Sequence, residues 1–165
     1  MQSARVEIQR ATHEDAAEIL ALQKRAYQSE AALYGAYDIP PLTQTLAEME
    51  SDLEQQVALK AVETGPAGPA IVGSVRAYAQ DGTCHVGRLI VHPAHQNRGL
   101  GTRLLKEIEA AFAGAFAHGC ARYALFTGHK SARNLYLYDK LGYKELKREP
   151  VSEALTIVHL EKTRP

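Results

Sequence analysis

The run Leu89 to Thr102, LIVHPAHQNRGLGT, joins a β-branched stretch to a proline, a turn rich in glycine and the start of an amphipathic segment. Glycines at 99 and 101 remove side-chain bulk where the chain turns, so successive N–H groups can approach an anion closely. A helix opening at that turn aims its positive end at the same point. The chemistry this arrangement suits is binding of a phosphorylated cofactor by the main chain.

Two familiar cradles are excluded. A Walker A loop needs Lys followed by Ser or Thr after its second glycine, and neither that residue pair nor the glycine spacing is present. The dinucleotide fingerprint needs a third small residue at position 104, which is Leu, and an acidic residue about 20 positions further on, which is missing.

The hexapeptide Gln96-Asn97-Arg98-Gly99-Leu100-Gly101 instead resembles the Q/R-x-x-G-x-G/A pyrophosphate signature of the GNAT superfamily of N-acetyltransferases. A second segment agrees: Ser131 to Tyr143 is similar to that family's helix ending in Y-x-x-x-G-aromatic, here Tyr138, Gly142 and Tyr143. Asn134 and Tyr138 stand one turn apart on one helix face, Ser131 suits the N-cap, and Gly142 suits a left-handed stop after Leu141.

The resemblance implies an α/β GNAT fold, a mixed central sheet flanked by helices on both faces. It also implies transfer of an acetyl group from acetyl-coenzyme A (acetyl-CoA) to a primary amine by direct attack in a ternary complex. Main-chain groups of Leu89, Ile90 and Val91 would bond the pantetheine arm where neighbouring strands splay, one N–H polarising the thioester carbonyl. Gln96 belongs to the signature, and Asn97, Arg98, Gly99, Leu100, Gly101 and Thr102 would hold the pyrophosphate, with Arg98 or Arg103 adding charge. Ser131 and Asn134 would touch the pantetheine or its phosphate side, although Ser131 replaces the more usual Asn.

Acetyl transfer also needs a proton for the departing thiolate and a base for the amine. A thiolate with a pKa of about 8.5 is a fair leaving group for a phenol of pKa about 10 to protonate. The residue in the family's tyrosine position is Tyr138, whose other reading is a packed ring with an outward hydroxyl, like Tyr136 or Tyr143. For the base the candidate is His85, which by strand alternation shares a face with Gly87 and Leu89; its other reading is a solvated strand histidine. A non-catalytic acyl-CoA sensor would keep the cradle without turnover, and a nucleotide-binding structural module would take ATP or NAD instead.

The elements that position these residues can be read in chain order. Arg5 to Gln9 suits a strand, and Thr12 with Asp15 caps a long helix through Ile19, Leu20, Ala26 and Leu33. Tyr34 to Leu42, closed by Pro40-Pro41, breaks that helix, and a second begins near Thr45 with Glu48 in the capping position. Strands follow at Gln56 to Glu63 and Ala70 to Ala79, joined by the loop Gly65 to Pro69. Asp81-Gly82 is a tight-turn signal that pairs Ile71 to Ala79 with Thr83 to Val91. The helix after the cradle buries Leu104, Leu105, Ile108, Ala111 and Phe112, then strands Arg122 to Thr127 and Ala154 to Glu161 complete the order β-α-α-β-β-β-α-β-α-β-β. Lys144 to Glu149 alternates charges and reads as a solvated strand or loop.

With 165 residues, 45% hydrophobic and 23% charged, the chain suits one domain spanning 1–165 with a real core. Acidic and basic residues number 19 each, so no net field draws nucleic acid or an anionic membrane. No stretch reaches the length of a membrane span and the first ten residues lack a secretory apolar run, so a cytoplasmic location is expected. Cys84 and Cys120 read as reduced, part-buried thiols. His92 and His95 have an H-x-x-H spacing, but Pro93 breaks helical presentation and no third ligand is near, so no metal is expected.

Substrate selection is expected between Tyr27 and Leu42, where Glu30, Tyr34, Tyr37 and Asp38 could receive a cationic amine; alternatively Tyr27 and Tyr34 extend a packing stripe. A small-molecule amine and a peptide amine are both compatible, and the resemblance leaves homodimerisation open.

Overall fold

The computed structural model describes residues 5–113 and 120–163. Strand β1 (Arg5–Arg10) leads through a 3₁₀ turn, His13–Asp15, into α1 (Ala16–Ala26). Helices α2 (Gln28–Tyr34), α3 (Pro40–Thr43) and α4 (Leu46–Gln55) precede an antiparallel run of β2 (Val57–Gly65), β3 (Gly68–Gln80) and β4 (Thr83–Val91). Helix α5 (Leu100–Ala111), β5 (Arg122–Gly128), α6 (Ala132–Lys140), β6 (Lys144–Pro150) and β7 (Thr156–Thr163) follow.

The strands form one mixed sheet in the order β1-β2-β3-β4-β5-β7-β6, with β4 and β5 its parallel pair. Helices α5 and α6 pack on one face, where Leu104, Leu105, Ile108 and Phe112 meet Val75, Cys84, Val86 and Leu160. Helices α1 and α4 cover part of the other, burying Ile19, Leu22, Met49 and Leu53 against Ala58, Ile71 and Ile90. The expected sheet with helices on both faces is what the chain forms.

Both expected capping boxes are present, Thr12 with Asp15 and Thr45 with Glu48. Gly142, at φ 94°, makes the left-handed stop. Strand β6 is exposed along its length, as its charge pattern suggested.

Three expectations need correction. The long first helix is two helices meeting at Tyr27, where the backbone takes φ −82°, ψ 0° and lets α2 swing toward the β5–α6 turn. Tyr34 ends α2 instead of opening the break, and Pro40-Pro41 begins α3 instead of closing a loop, proline being well suited to a first helical turn. The third correction is to the faces of β4. Arg76 pairs with Gly87 but Ser74 with Ile90, so two steps along β3 match three along β4. This bulge, with Arg88 at φ 52°, reverses the alternation. Leu89 and Val91 pack with the α5 side and Ile90 with the α1 side, so His85 and Leu89 do not share a face.

Candidate functional site

The turn before α5 is built as the glycines suggested. Asn97 and Gly99 both have left-handed backbones, at φ 64° and 77°, and α5 starts at the next residue. A Cβ on Gly99 would meet nothing within 4 Å, so it would project into open space in front of the turn with a backbone that side chains disfavour. Among the described residues, the N–H groups of 97–102 make no hydrogen bonds. A row of unused donors at the positive end of a twelve-residue helix fits a diphosphate.

A cavity of about 550 Å³ lies in front of this turn. Leu89, Ile90, Val91, Gln96, Asn97, Gly99, Leu100, Gly101, Thr102 and Asn134 line it, ten of the twelve residues expected to meet the cofactor. Arg98 does not line it: its side chain is exposed on the outer side of the turn. Arg103 also turns elsewhere, donating to the Val6 carbonyl at 3.1 Å. The cations on the cavity come instead from α6, Arg133 and Lys140, with Arg133 hydrogen-bonded to the Gln96 side chain. Their seven-residue spacing, two helical turns, was the available signal.

Strands β4 and β5 pair only at Thr83 with Arg122, Cys84 with Tyr123 and His85 with Ala124. Beyond that point they separate, and the groups of β4 that turn toward β5 have no strand partner there. The splay expected around Leu89 to Val91 is therefore present, sharpened by the bulge at Arg88. Two further cavities, of about 240 Å³ and about 310 Å³, share Val86, Gly87, Arg88, Leu125 and Phe126 as lining. Those residues are the two walls of the opening between β4 and β5.

Tyr138 lines the smaller of these cavities together with Leu89, Thr127 and Asn134. It is 6% exposed, and its hydroxyl makes no hydrogen bond among the described residues. Its ring meets Tyr143 edge to face, centroids 6.0 Å apart, and Tyr143 donates to Glu109 at 2.7 Å. Burial pushes the Tyr138 phenol well above its ordinary range. Tyr138 thus keeps its proton throughout the neutral range. One turn earlier, Asn134 is held by its amide donating to Thr127 Oγ1 at 3.2 Å.

His85 lines the larger cavity, beside α4, with its ring stacked on Tyr78 at 5.0 Å. It does not line the cavity that holds Tyr138; the opening between β4 and β5 lies between the two residues. Arg88 lines both cavities.

Ser131 occupies the N-cap position of α6 but makes no capping bond, and it does not reach the cofactor cavity. Its hydroxyl is used differently. Ser131 Oγ donates to Glu30 Oε2 at 2.6 Å and lies 2.8 Å from the Tyr34 hydroxyl, which in turn accepts the Lys130 N–H at 2.8 Å. Since Ser131 gives its proton to Glu30, Tyr34 donates to Ser131. The relay ties α2 to the β5–α6 turn, and Gly128 makes room for it, because a Cβ there would overlap the Tyr34 ring.

Of the four residues expected to receive an amine, Glu30 and Tyr34 therefore reach a cavity, while Tyr37 and Asp38 are exposed and line none of the three. His92 accepts the Ala94 N–H at 3.0 Å and His95 pairs with Glu63 at 2.9 Å, so each imidazole already has a protein partner. Among the described residues no group of three or more His, Cys, Asp or Glu side chains is placed to hold a metal ion. None of the described helices is long and apolar enough to cross a membrane.

The profile of the acetyltransferase (GNAT) family matches residues 16–143. Solved structures share the fold. An acetyltransferase of the GNAT family from Streptococcus pneumoniae superposes with a TM-score of 0.75 at 22% identity, covering 98% of this chain and 100% of its own. The PaiA N-acetyltransferase from Thermoplasma acidophilum, in complex with coenzyme A, gives 0.74 at 16% identity, covering 96% and 99%. An N-acetyltransferase from Staphylococcus aureus Mu50 gives 0.77 at 18%, covering 98% and 99%. No protein of curated function matches the sequence.

Proposed function

Because the chain belongs to the GNAT acetyltransferase family, we propose that it transfers an acetyl group from acetyl-CoA to a primary amine, by direct attack in a ternary complex within one domain. The observation that carries this reading is the row of unused N–H donors at 97–102 beside the opening between β4 and β5.

Acetyl-CoA supplies an activated acyl group as a thioester. The residues of this chain do the rest. Amides 97–102 bind the diphosphate, with Arg133 and Lys140 contributing positive charge at the rim of the same cavity. Main-chain groups in the stretch Leu89, Ile90 and Val91 that face the gap to β5 orient the pantetheine arm, and an N–H of this stretch polarises the carbonyl. Tyr138 holds a proton at its Oη for the departing sulfur. Burial disfavours the ionised form of a thiol as it does that of a phenol, so desolvation shifts acid and leaving group in the same direction.

On the other side of the opening His85, which lines the cavity there, takes the ammonium proton in this proposal. Its cavity receives the acceptor. The expectation that Glu30, Tyr34, Tyr37 and Asp38 form the amine site gives way in this proposal: Tyr37 and Asp38 face solvent, while Glu30 and Tyr34 line the Tyr138 cavity and are joined through Ser131.

The test is calorimetric titration with acetyl-CoA, CoA, ATP and NAD, followed by thiol release with a panel of amines. Binding of acetyl-CoA and CoA with amine-dependent release is expected. Preference for ATP or NAD would overturn the reading, and tight acetyl-CoA binding with no release across the panel would favour a sensor.

A further inference from the structure

The cavity beside α4 carries charge that acetyl transfer by itself does not require. Arg76, Arg88, Lys147, Asp52 and Glu161 all reach it. Both carboxylates are already engaged, Asp52 with Arg76 at 3.1 Å and Glu161 with Arg122 at 3.6 Å. Arg88 and the exposed Lys147 have no carboxylate within ion-pair distance among the described residues.

Arg88 is the more informative of the two. It is half-buried, its Nε is enclosed without a hydrogen-bond partner, and its backbone holds the left-handed conformation of the bulge. A non-glycine residue there is uncommon and costs of order 1–3 kcal/mol, persisting where the surrounding structure imposes it. What the bulge achieves is placement: the guanidinium stands at the opening between β4 and β5, on the wall of both cavities. Arg76 lies close enough to add its field to that of Arg88. The side-chain hydrogen bond of Arg88 goes to the Tyr27 phenol, a neutral partner. A guanidinium without a counter-anion, enclosed beside another cation, is a receptor for a planar anion, which a carboxylate satisfies through two parallel hydrogen bonds. The remaining walls include Tyr78, Leu125, Phe126 and Leu146, which offer apolar contact.

We propose, resting on the acetyltransferase reading, that the acceptor is a free amino acid with an apolar side chain, its carboxylate bound by Arg88 and its amino group directed at the opening between β4 and β5. His85 takes the ammonium proton, and the neutral nitrogen then forms the new N–C bond as the C–S bond breaks. The sulfur takes a proton from Tyr138, and the second proton shed by the nitrogen returns Tyr138 to its neutral form through water. A cavity of about 310 Å³ suits a molecule of that size.

The experiment compares matched acceptors on the full chain at saturating acetyl-CoA: leucine against isopentylamine, phenylalanine against phenethylamine and against phenylalaninamide, with thiol release as readout. The expected kcat/KM favours the free amino acids by about 100-fold, because an enclosed guanidinium left without a counter-anion disfavours an acceptor lacking the carboxylate. Arg88→Gln is expected to erase that preference through KM for the amino acid, and Arg88→Lys to restore part of it, with thermal melts checking that both variants fold. The proposal is overturned if the decarboxylated amines or the amide react as well as the amino acids, if a peptide amine is preferred, or if the preference survives Arg88→Gln. Calorimetry with acetyl-CoA separates the two levels. Absence of acetyl-CoA binding removes the acetyltransferase reading and this inference with it, whereas binding with preference for an uncharged or polycationic amine removes only the inference.

Discussion

The two sides of the opening between β4 and β5 are made of different material. On the proposed cofactor side the cavity is lined mainly by one short run from Leu89 to Thr102, joined by Arg133, Asn134 and Lys140 of α6, and the free amides are aimed by local backbone geometry. On the proposed acceptor side the lining comes from side chains of β3, β4, β5, β6, β7 and α4, brought together by the sheet. A main-chain site tolerates change in most side chains but not in backbone conformation, while a side-chain site retunes by single substitutions.

The contrast can be tested by substitution on either side. The largest effect is expected at the junction. Tyr138→Phe should lower kcat by about 100-fold, within the range of a lost general acid, and leave the calorimetric affinity for acetyl-CoA nearly unchanged. Unaltered turnover would reduce Tyr138 to a packing residue.

Next comes the cradle. Gly99→Val puts a β-branched side chain at φ 77°, where strain of order 1–3 kcal/mol disfavours the binding conformation. Affinity for acetyl-CoA should fall by about 10- to 100-fold. Arg98→Ala, which removes only an exposed side chain, should change it far less. Equal effects from the two variants would mean that side-chain charge, not the shaped backbone, holds the phosphates.

A smaller and purely structural effect is expected at the relay. Tyr34→Phe leaves the Lys130 N–H and the Ser131 hydroxyl without their shared partner, at a cost of about 1–3 kcal/mol in denaturant unfolding. If stability were unchanged, α2 would not be held to the β5–α6 turn by these bonds.

The last concerns Cys84, where the effect at any single pH step is the smallest. Its folded thiol is raised from 9.0 to about 12 by burial, so in the pH range between those values the unfolded chain ionises and the folded one does not. Stability from this group is complete below about 9 and declines as pH rises toward about 12, by at most about 1.4 kcal/mol per pH unit. Unfolding curves for wild type and Cys84→Ala should converge with rising pH over that window. Parallel curves would contradict a neutral buried thiol.

The same division decides what the sequence reveals. Asn97, Gly99 and the start of α5 are legible because nearest neighbours determine their conformation, and Asn134 and Tyr138 share a face by helical spacing alone. The face of His85 was not legible. Alternation held up to Gly87 and then failed at the bulge, which depends on pairing with β3 and on the widening gap to β5. Ser131 reads locally as a helix cap, yet its hydroxyl goes to Glu30, 101 positions away in sequence. Arg98 and Arg103 are near the cradle in sequence, but Arg133 and Lys140 are near it in space. Each miss lies where a distant element competes with a local rule.

The amides of 97–102 are the proposed phosphate receptor, and backbone ¹H–¹⁵N spectra during titration with acetyl-CoA test that directly. The largest shifts are expected at these amides and at 89–91, with a much weaker response to acetyl-pantetheine, which lacks the diphosphate. Saturation with acetyl-CoA that leaves the amides of 97–102 unmoved would contradict it.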